Sequence, residues 1–468
     1  METVVTPDEW MTRGETRVRG DRKSLIVWSG IPGEPAKVKI YGRGQHQDRA
    51  RFLAPAGKPD PKRRKPPCDK YDRCGGCPIM HLKPKAQSDV RLEIVRGLFA
   101  DRGLADFAPT EVIGSPDGEM GYRHVSKMVV GKSDWGRTRM GAYGRDSHDI
   151  IPIPKCPVIT PQLREASNAV AHHVIDLDIF PYEENTGRGV LRYVVMRQSR
   201  VNNEILITLV TARRPRILSE LAERLTSSVP EIVGVHVHVN SEPGNAIYDV
   251  GEEGIGSLRL EGKLAIEEKL AGVRLQVGPG DFFQANPATA DRMVSDVVEL
   301  LAEDRDRPVV DLYSGVGAFT LALAKHHGWG IGIEGVASAV RRARENAQLN
   351  HIKAEFLAGP VESHLYDLTK RLKGAAPVVV MDPSRRGLDE EVIDSVIELK
   401  PARAVYVSCN PASLARDLVG FLGAGWSIAG IKAYDMFPQT SHLELVVDLR
   451  PASKPKATRG GPRRRIVR

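Results

Sequence analysis

A regular alternation of short apolar runs with helix-length amphipathic stretches, beginning at Pro308, limits the possible folds of this chain most. The apolar runs cover residues 309–313, 330–334, 377–382, 404–408 and 443–447. Apolar runs of this length and spacing predict a Rossmann-like, doubly wound α/β sheet. Ligands of such sheets bind at the carboxyl ends of the strands. The pattern therefore predicts a site where Asp311, Glu334, Asp382 and Cys409 meet, each from a different strand.

A glycine-containing turn follows the first run. Tyr313, Gly315 and Gly317 lie in this turn, and the glycines allow backbone to approach a ligand where a helix begins. Glu334 ends the second run, where an acidic side chain would meet ribose hydroxyls. An NAD site would use a third glycine where this chain has Thr320. S-adenosylmethionine has no pyrophosphate, and its binding does not require a glycine at that position. The turn therefore favours a methyltransferase over a dehydrogenase.

Cys409 stands at the tip of the fourth run, directly before Asn410 and Pro411. Asn is a favoured N-cap and Pro a favoured first helical residue, so a helix should begin at Pro411. A thiol at a helix N-terminus is expected to have a lowered pKa and to act as a nucleophile. The alternative is a buried structural cysteine.

The other four cysteines are Cys68, Cys74, Cys77 and Cys156. Structural zinc sites usually show two short Cys pairs, and Cys156 has no near partner in the sequence. Three close cysteines and one distant cysteine are more typical of an iron-sulfur cluster. The spacing predicts a structural cluster with these four ligands, and zinc remains the alternative.

Three further segments carry chemically useful side chains. Gln284 and Asn286 follow two phenylalanines and could line a pocket for an extruded base, the alternative being a core aromatic pair beside a turn. Glu444 lies in an apolar run on the face of His442, where burial would raise its pKa toward that of a useful base. An exposed edge glutamate is the alternative. Asp382 precedes two arginines, and a helix-capping role is its alternative.

Length and charge restrict the remaining possibilities. A chain of 468 residues is too long for one hydrophobic core. Its net charge is +8, and the segment from Arg450 to Arg468 alone contains eight basic residues and no acidic one, so the rest of the chain is close to neutral. The expected units are a small β-barrel over 1–58, a central cysteine-containing domain over 59–272, a catalytic domain over 273–450 and a basic disordered tail over 451–468. No segment predicts a membrane span or a signal peptide, so we expect a cytoplasmic protein without a membrane partner.

Together these segments resemble the S-adenosylmethionine-dependent RNA 5-methyluridine methyltransferases, in particular the iron-sulfur branch that acts on 23S rRNA. The resemblance depends on the four-cysteine spacing, Phe283-Gln-Ala-Asn286, Asp311-Leu-Tyr-Ser-Gly-Val-Gly317, Ser408-Cys-Asn-Pro411 and His442-Leu-Glu444. Gly30-Ile-Pro-Gly-Glu34 also looks like the loop of a TRAM domain, a small OB-like barrel.

The resemblance implies a role for each candidate residue. Cys409 would be the nucleophile and Glu444 the base. The side chains that would line the S-adenosylmethionine and uracil site are those of Gln284, Tyr313, Glu334 and Asp382, with Gly315 in the turn. Cys68, Cys74, Cys77 and Cys156 would hold a 4Fe-4S cluster. The expected partner is structured RNA, with 23S rRNA favoured over tRNA, and the protein is expected to be a monomer. A non-catalytic iron-sulfur RNA-binding protein is the alternative of a different class.

Overall fold

The computed structural model describes residues 1–133, 136–251 and 253–451, except for the side chains of residues 365 and 366. The predicted tail over 451–468 therefore lies outside the described residues apart from Pro451. The described α-helices are α1 (Pro84–Ala100), α2 (Pro161–Asp176), α3 (Ile217–Ser228), α4 (Pro287–Leu300), α5 (Ala318–His327), α6 (Ala337–Leu349), α7 (Val361–Arg371), α8 (Glu390–Glu398) and α9 (Pro411–Gly423). Short 3-10 turns are formed by Ala105–Phe107 and Ala302–Asp304.

An amino-terminal sheet contains six strands in the order β1-β5-β6-β4-β3-β2. They are β1 (Glu2–Val5), β2 (Glu9–Trp10), β3 (Thr16–Val18), β4 (Ser24–Trp28), β5 (Ala36–Arg43) and β6 (Gln47–Pro55). Burial alternates along the start of β5, where Ala36 and Val38 are buried and the intervening lysine is exposed. Gly33 lies in the predicted loop before β5 with a φ of 82°, a conformation that favours glycine.

A central sheet has seven strands in the order β10-β9-β8-β11-β12-β13-β14. They are β8 (Val125–Lys132), β9 (Thr138–Tyr143), β10 (Ile150–Ile151), β11 (Leu191–Gln198), β12 (Ile205–Thr211), β13 (Ile232–Val239) and β14 (Leu258–Gly262). Helices α2 and α3 pack against this sheet and against each other, and their leucine, valine and alanine side chains form its core. The hairpin of β15 (Ile266–Leu270) and β16 (Val273–Val277) then leads to α4.

The carboxyl-terminal sheet has eight strands in the order β19-β18-β17-β20-β21-β23-β22-β7. They are β7 (Val112–Ile113), β17 (Val309–Leu312), β18 (Gly330–Glu334), β19 (Ala354–Ala358), β20 (Val378–Met381), β21 (Arg403–Ser408), β22 (Trp426–Tyr434) and β23 (Glu444–Pro451). Strands β17 to β21 are parallel, and apolar clusters cover both faces of the sheet. The Rossmann-like α/β prediction is confirmed, and the strand order reverses direction between β17 and β20.

An early segment of the chain also joins this sheet. Helix α1 packs against α9, and β7 pairs in parallel with β22. The chain just after Cys77 contacts both outer units, because Ile79 packs with Ile31 and Trp10 of the amino-terminal region and its N–H donates to the Gln439 carbonyl of the carboxyl-terminal region. Within the described parts of the chain, no helix is long and apolar enough to cross a membrane.

Candidate active site at the strand ends

The predicted side chains meet at one edge of the carboxyl-terminal sheet. Tyr313 directly follows β17, Glu334 ends β18, Asp382 directly follows β20, and Cys409 directly follows β21. These four strands are consecutive neighbours in the order β18-β17-β20-β21. The reversal of strand order opens a crevice at this edge, which is where ligands bind to open α/β sheets.

Glu334 is held by backbone donors of two turns. Gly315 N–H donates to Oε2 at 2.9 Å, and Val336 N–H donates to Oε1 at 2.8 Å. Tyr313 leads into the glycine turn with a φ of 70°, in the left-handed region. Each carboxylate oxygen has further lone pairs, so Glu334 can still accept hydrogen bonds from ligand hydroxyls.

Asp311 and Thr320 explain why this turn does not need a third glycine. Asp311 is fully buried, and its Oδ2 accepts hydrogen bonds from Thr320 N–H at 2.8 Å and Thr320 Oγ1 at 2.6 Å. Its Oδ1 has no hydrogen-bond partner among the described residues. Burial, with smaller effects of Asp382 and Glu334, raises the pKa of Asp311 to about 7. The threonine thus fixes helix α5 to β17 through a side-chain hydrogen bond.

The turn after β20 is tied to the start of α9. Asn410 caps α9, because its side chain accepts a hydrogen bond from Ala412 N–H at 3.2 Å, and the helix begins at Pro411 as predicted. The Asn410 amide also donates to the carbonyl oxygen of Arg385 at 2.8 Å. Asp382 caps no helix, since α8 begins after Asp389. Its pKa is raised to about 7 by burial.

Cys409 and Glu444 come together across neighbouring antiparallel strands. Ser408 of β21 pairs with Leu445 of β23, so the next position on each strand places Cys409 opposite Glu444. Glu444 is only 3% exposed, and its pKa is raised well above the usual range by burial and by Asp382. The Arg385 guanidinium opposes both effects. The expectation of a buried Glu444 with a raised pKa is confirmed, and the edge alternative is wrong.

The expected lowering of the Cys409 pKa is wrong for this structure. Burial, then Glu444, and to a smaller extent Asp382 raise the pKa of the thiol to about 11, whereas Arg385 lowers it. The helix N-terminus is present, but desolvation and two carboxyl groups outweigh it. Two arginines follow Asp382 in the sequence, but the sequence alone does not indicate that either acts on Cys409. The packing of these turns shows that Arg385 lowers the pKa of the thiol.

The segment before α4 divides into structural and accessible side chains. Phe283 is buried in the core with the Arg197 guanidinium 5.9 Å from its ring centre, whereas Phe282 is 70% exposed. Asn286 is fully buried, and its side chain caps α4 and donates to Ser115 Oγ at 3.0 Å. Asn286 is therefore structural, contrary to the expectation that both amides line a pocket. Gln284 is partly exposed and remains a candidate ligand-binding residue.

His442 does not share a strand with Glu444. It precedes β23 and contacts the Phe437 ring, with 6.3 Å between the ring centres and the two planes at 78°. The residue is exposed overall, and the partial desolvation of its ring, together with the nearby Arg385, lowers the pKa of His442. A neutral imidazole therefore stands beside the site at physiological pH.

The other four cysteines are brought close enough together to affect one another's titration. Burial raises the pKa of Cys77, and Cys156, Cys74 and Cys68 raise it further. The pKa of Cys68 is likewise raised by burial, with contributions from Cys156 and Cys74. All four thiols are partly exposed and free. Thiols from two segments that are distant in the sequence thus lie close enough to interact electrostatically.

The arrangement of these thiols bears on the kind of metal group they could hold. Across the described ranges, no group of three or more His, Cys, Asp or Glu side chains is placed to hold a metal ion. Four thiols of one type are nevertheless the usual donor set of a 4Fe-4S cluster, in which each cysteine ligates a different iron. The Arg145 and Arg123 guanidiniums, which favour the thiolate forms of Cys74 and Cys77, would suit such a group. The donor chemistry fits a cluster, which stays a prediction.

A cavity of about 590 Å³ lies between the amino-terminal sheet and the cysteine segment. Its lining includes Arg51, Phe52, Arg63, Arg64, Lys65, Tyr71, His81 and Arg145. The Arg63 guanidinium stacks on Phe52 at 3.9 Å and pairs with Glu34. Arg51 and Lys65 are exposed and form no ion pair among the described residues. The cavity therefore combines aromatic surface with an excess of basic side chains, since Asp72 is the one acidic residue among the described residues that line it.

Comparison with known proteins identifies the family. A model of the tRNA (uracil-5-)-methyltransferase family matches residues 257–451. An uncharacterised RNA methyltransferase of Gloeobacter violaceus is 31% identical over 452 residues, which are 96% of this chain and 96% of that protein. Another, of Caldanaerobacter subterraneus, is 33% identical over 413 residues, or 87% of this chain and 86% of that protein. This chain belongs to the S-adenosylmethionine-dependent RNA 5-methyluridine methyltransferase family.

A solved structure supports the fold of this family member. The tRNA (uracil-54, C5)-methyltransferase of Pyrococcus abyssi, in complex with S-adenosyl-L-homocysteine, has a TM-score of 0.71 and 23% sequence identity. The match covers 96% of this chain and 100% of the archaeal chain. As a member of its family the methyltransferase is S-adenosylmethionine-dependent, and the dehydrogenase alternative is wrong.

Proposed function

We propose that this methyltransferase modifies C5 of a uridine in structured RNA, 23S rRNA in particular, through a covalent bond between Cys409 and uracil C6. The observation that supports this most is the placement of Cys409 opposite Glu444 at the crevice of the sheet. Cys409 is partly exposed and can reach a ligand, whereas Glu444 is buried.

The chemistry needs one nucleophile and one base. The Cys409 thiolate adds to C6, and the electrons of the C5–C6 double bond move toward C5 and O4. S-adenosylmethionine supplies an electrophilic methyl group, which C5 takes as the carbon–sulfur bond breaks. The Glu444 carboxylate then removes the C5 proton, and the electrons left at C5 restore the double bond as the Cys409 thiolate leaves C6. C5 and C6 lie within a stack in folded RNA, so the uridine must be extruded.

The cofactor site in this proposal is the crevice beside the glycine turn. Glu334 would accept hydrogen bonds from the ribose hydroxyls of S-adenosylmethionine, and the Gly315 turn and Tyr313 would border its adenosine. Gln284 and Asp382 would face the uracil, because an amide and a neutral carboxyl can both hydrogen bond to its edge. The raised pKa of Asp382, about 7, suits a group that donates as well as accepts.

We assign separate tasks to the remaining units. Cys68, Cys74, Cys77 and Cys156 hold a 4Fe-4S cluster in a central domain over 59–272, next to the catalytic domain over 273–450. The amino-terminal sheet, expected as a TRAM-like barrel over 1–58, and the cavity beside it hold the RNA backbone. Arg51 and Lys65 would contact phosphates there, because their charges have no protein partner among the described residues. The monomeric state and the cytoplasmic location stay predictions.

The function is tested by methylation of defined RNAs. Purified protein with labelled S-adenosylmethionine should methylate 23S rRNA fragments, and mass mapping should place the methyl group on uridine C5. Cys409→Ala should abolish transfer while binding S-adenosylmethionine normally, since only the C6 bond needs sulfur. Transfer by this variant above a few per cent of wild type would contradict the covalent mechanism. Methylation of tRNA transcripts but not of 23S fragments would replace the ribosomal assignment with tRNA and leave the chemistry intact.

The RNA-binding cavity needs its own test. Replacing Arg51 and Lys65 together with alanine should weaken RNA binding and lower the slope of log affinity against log salt by about 0.7 to 0.9 for each phosphate that is no longer neutralised. Arg22 and Lys58 are also exposed and form no ion pair among the described residues, and they do not line the cavity. The corresponding alanine pair is therefore a matched control. Equal effects of the two pairs would show that the cavity has no special role.

A further inference from the structure

Gln439 occupies an unusual position in the segment that joins β22 to β23. It lies five residues before Glu444, is fully buried, and has a φ of 73°. Left-handed backbone of this kind favours glycine, so a long polar side chain here needs compensating contacts. The position is one where strain, burial and proximity to the proposed base coincide.

Every polar group of Gln439 has a partner. Its side-chain oxygen accepts from Gln87 Nε2 at 2.9 Å and Arg64 Nη2 at 3.0 Å, and its Nε2 donates to Glu119 Oε2 at 2.9 Å. Its backbone N–H donates to Gln87 Oε1 at 3.1 Å, and its carbonyl accepts from Ile79 N–H at 3.2 Å. Gln439 therefore connects Arg64, helix α1, the segment before β8 and the chain just after Cys77.

The next two residues are fixed as well. The Thr440 carbonyl accepts from Arg91 Nε at 2.7 Å, and Ser441 Oγ donates to the Thr12 carbonyl at 2.9 Å. These bonds hold the chain up to three residues before Glu444. The Glu444 carboxyl forms no hydrogen bond with another described residue, so its position depends on its own strand and on the segment that precedes it.

We propose that Gln439 is a positioning residue, which holds the segment before β23 so that Glu444 faces the C5 proton. The proposal rests on the base role given to Glu444 above. Removal of a proton requires close approach and correct orientation, and a displacement of about 1 Å can reduce such a step up to about a hundredfold. Addition of Cys409 to C6 depends on β21 and α9, with which Gln439 forms no hydrogen bond among the described residues. Loss of Gln439 should therefore slow elimination more than addition.

The test separates those two steps. Gln439→Gly accepts the same backbone conformation but removes all the side-chain hydrogen bonds. With RNA and S-adenosylmethionine, this variant should lower turnover between about tenfold and a hundredfold, and covalent protein–RNA adduct should accumulate on denaturing gels. Gln439→Asn retains an amide that is one methylene shorter, and it should give an intermediate ratio of adduct to product. It also keeps the test valid if the glycine variant unfolds.

Gln198→Ala is the matched control. Gln198 is 1% exposed, accepts from Thr160 Oγ1 and donates to Asn203 Oδ1 at 3.1 Å, and it lies in the central sheet. Its loss should leave the ratio of adduct to product unchanged. If Glu444→Gln accumulates adduct but neither Gln439 variant does, the positioning role is wrong and the base assignment stands. If Glu444→Gln accumulates none, the base assignment fails and the positioning proposal fails with it.

Discussion

Formation of the covalent bond between Cys409 and RNA should accelerate about a hundredfold between pH 7 and pH 9. The pKa of Cys409 is raised to about 11 by burial and nearby carboxyl groups. A thiol with that pKa is ionised to a fraction of roughly 10⁻⁴ at pH 7 and roughly 10⁻² at pH 9. Only the thiolate adds to C6, so the rate of addition should rise with this fraction, about tenfold per pH unit.

Two substitutions should move this profile in opposite directions. Glu444 is the largest cause after burial that raises the Cys409 pKa, so Glu444→Gln should shift the profile to lower pH. Arg385 lowers the same pKa, so Arg385→Ala should shift the profile to higher pH, whereas Arg385→Lys keeps the charge and should shift it little. The two shifts together test whether charge, and not the shape of the pocket, sets the thiol pKa.

The measurement uses RNA in which 5-fluorouridine replaces uridine. The C5–F bond leaves no proton for a base to remove, so the adduct accumulates and can be counted on a denaturing gel. Rates are taken at saturating RNA and S-adenosylmethionine, with Cys409→Ser as the blank. A rate that is the same at pH 7 and pH 9 would show that the thiol is already ionised in the complex, and it would refute burial as the factor that controls addition.

Three further predictions concern the cluster, acid stability and the cofactor turn. Protein purified without oxygen should be brown with about four irons per chain, and Cys74→Ser should lose the colour; stoichiometric zinc would contradict this. Burial lowers the pKa of His81 to about 3, so the stability that the neutral imidazole contributes is complete above pH 6.5 and falls as the pH drops toward 3. The loss at pH 4.5 is on the order of 3 kcal/mol. His81→Gln should flatten thermal stability between pH 6.5 and 4.5, and equal acid sensitivity of both proteins would refute this. Gly317 has a φ of 90°, and a Cβ added there would lie 3.0 Å from Phe356. Gly317→Ala should therefore weaken S-adenosylmethionine binding measured by calorimetry. Gly335→Ala is the control and should leave this binding unchanged, because a Cβ at Gly335 meets no atom within 4 Å.

The catalytic sheet could be predicted closely because its parallel strands are buried on both faces. Such strands appear in the sequence as unbroken apolar runs, and the observed strands Val309–Leu312, Gly330–Glu334 and Val378–Met381 begin within one residue of the predicted runs. The helix at Pro411 is predictable for an equally local reason, since a cap and a proline lie within two residues. Local patterns therefore place Cys409 at a strand end with the correct neighbours.

Pairing between distant segments could not be predicted in the same way. Strand β7 has only two residues, Val112–Ile113, and no pattern in so short a segment indicates that it pairs with β22. The direction of the thiol pKa shift is mispredicted because the helix N-terminus is visible in the sequence, whereas Glu444 is brought beside Cys409 only by antiparallel pairing of β23. The hydrogen bonds of Gln439 are equally distant, since Gln87 lies 352 residues away along the chain.

The charges at the proposed site explain the role of Arg385 near the Cys409 thiol and the Glu444 carboxyl. Burial raises the pKa of the Cys409 thiol most, and repulsion between its thiolate and the nearby Glu444 carboxylate raises it further. With the cationic methyl donor bound, an ionised Cys409 and an ionised Glu444 leave one net negative charge. After methyl transfer the sulfur is bonded to carbon and the donor is neutral, so only Glu444 is charged. After proton removal Glu444 is neutral and the released Cys409 is charged. Counted over Cys409, Glu444 and the methyl donor, with Asp382 in its neutral form, one negative charge is thus present at each stage, and the positive charge of Arg385 can balance it throughout the proposed cycle.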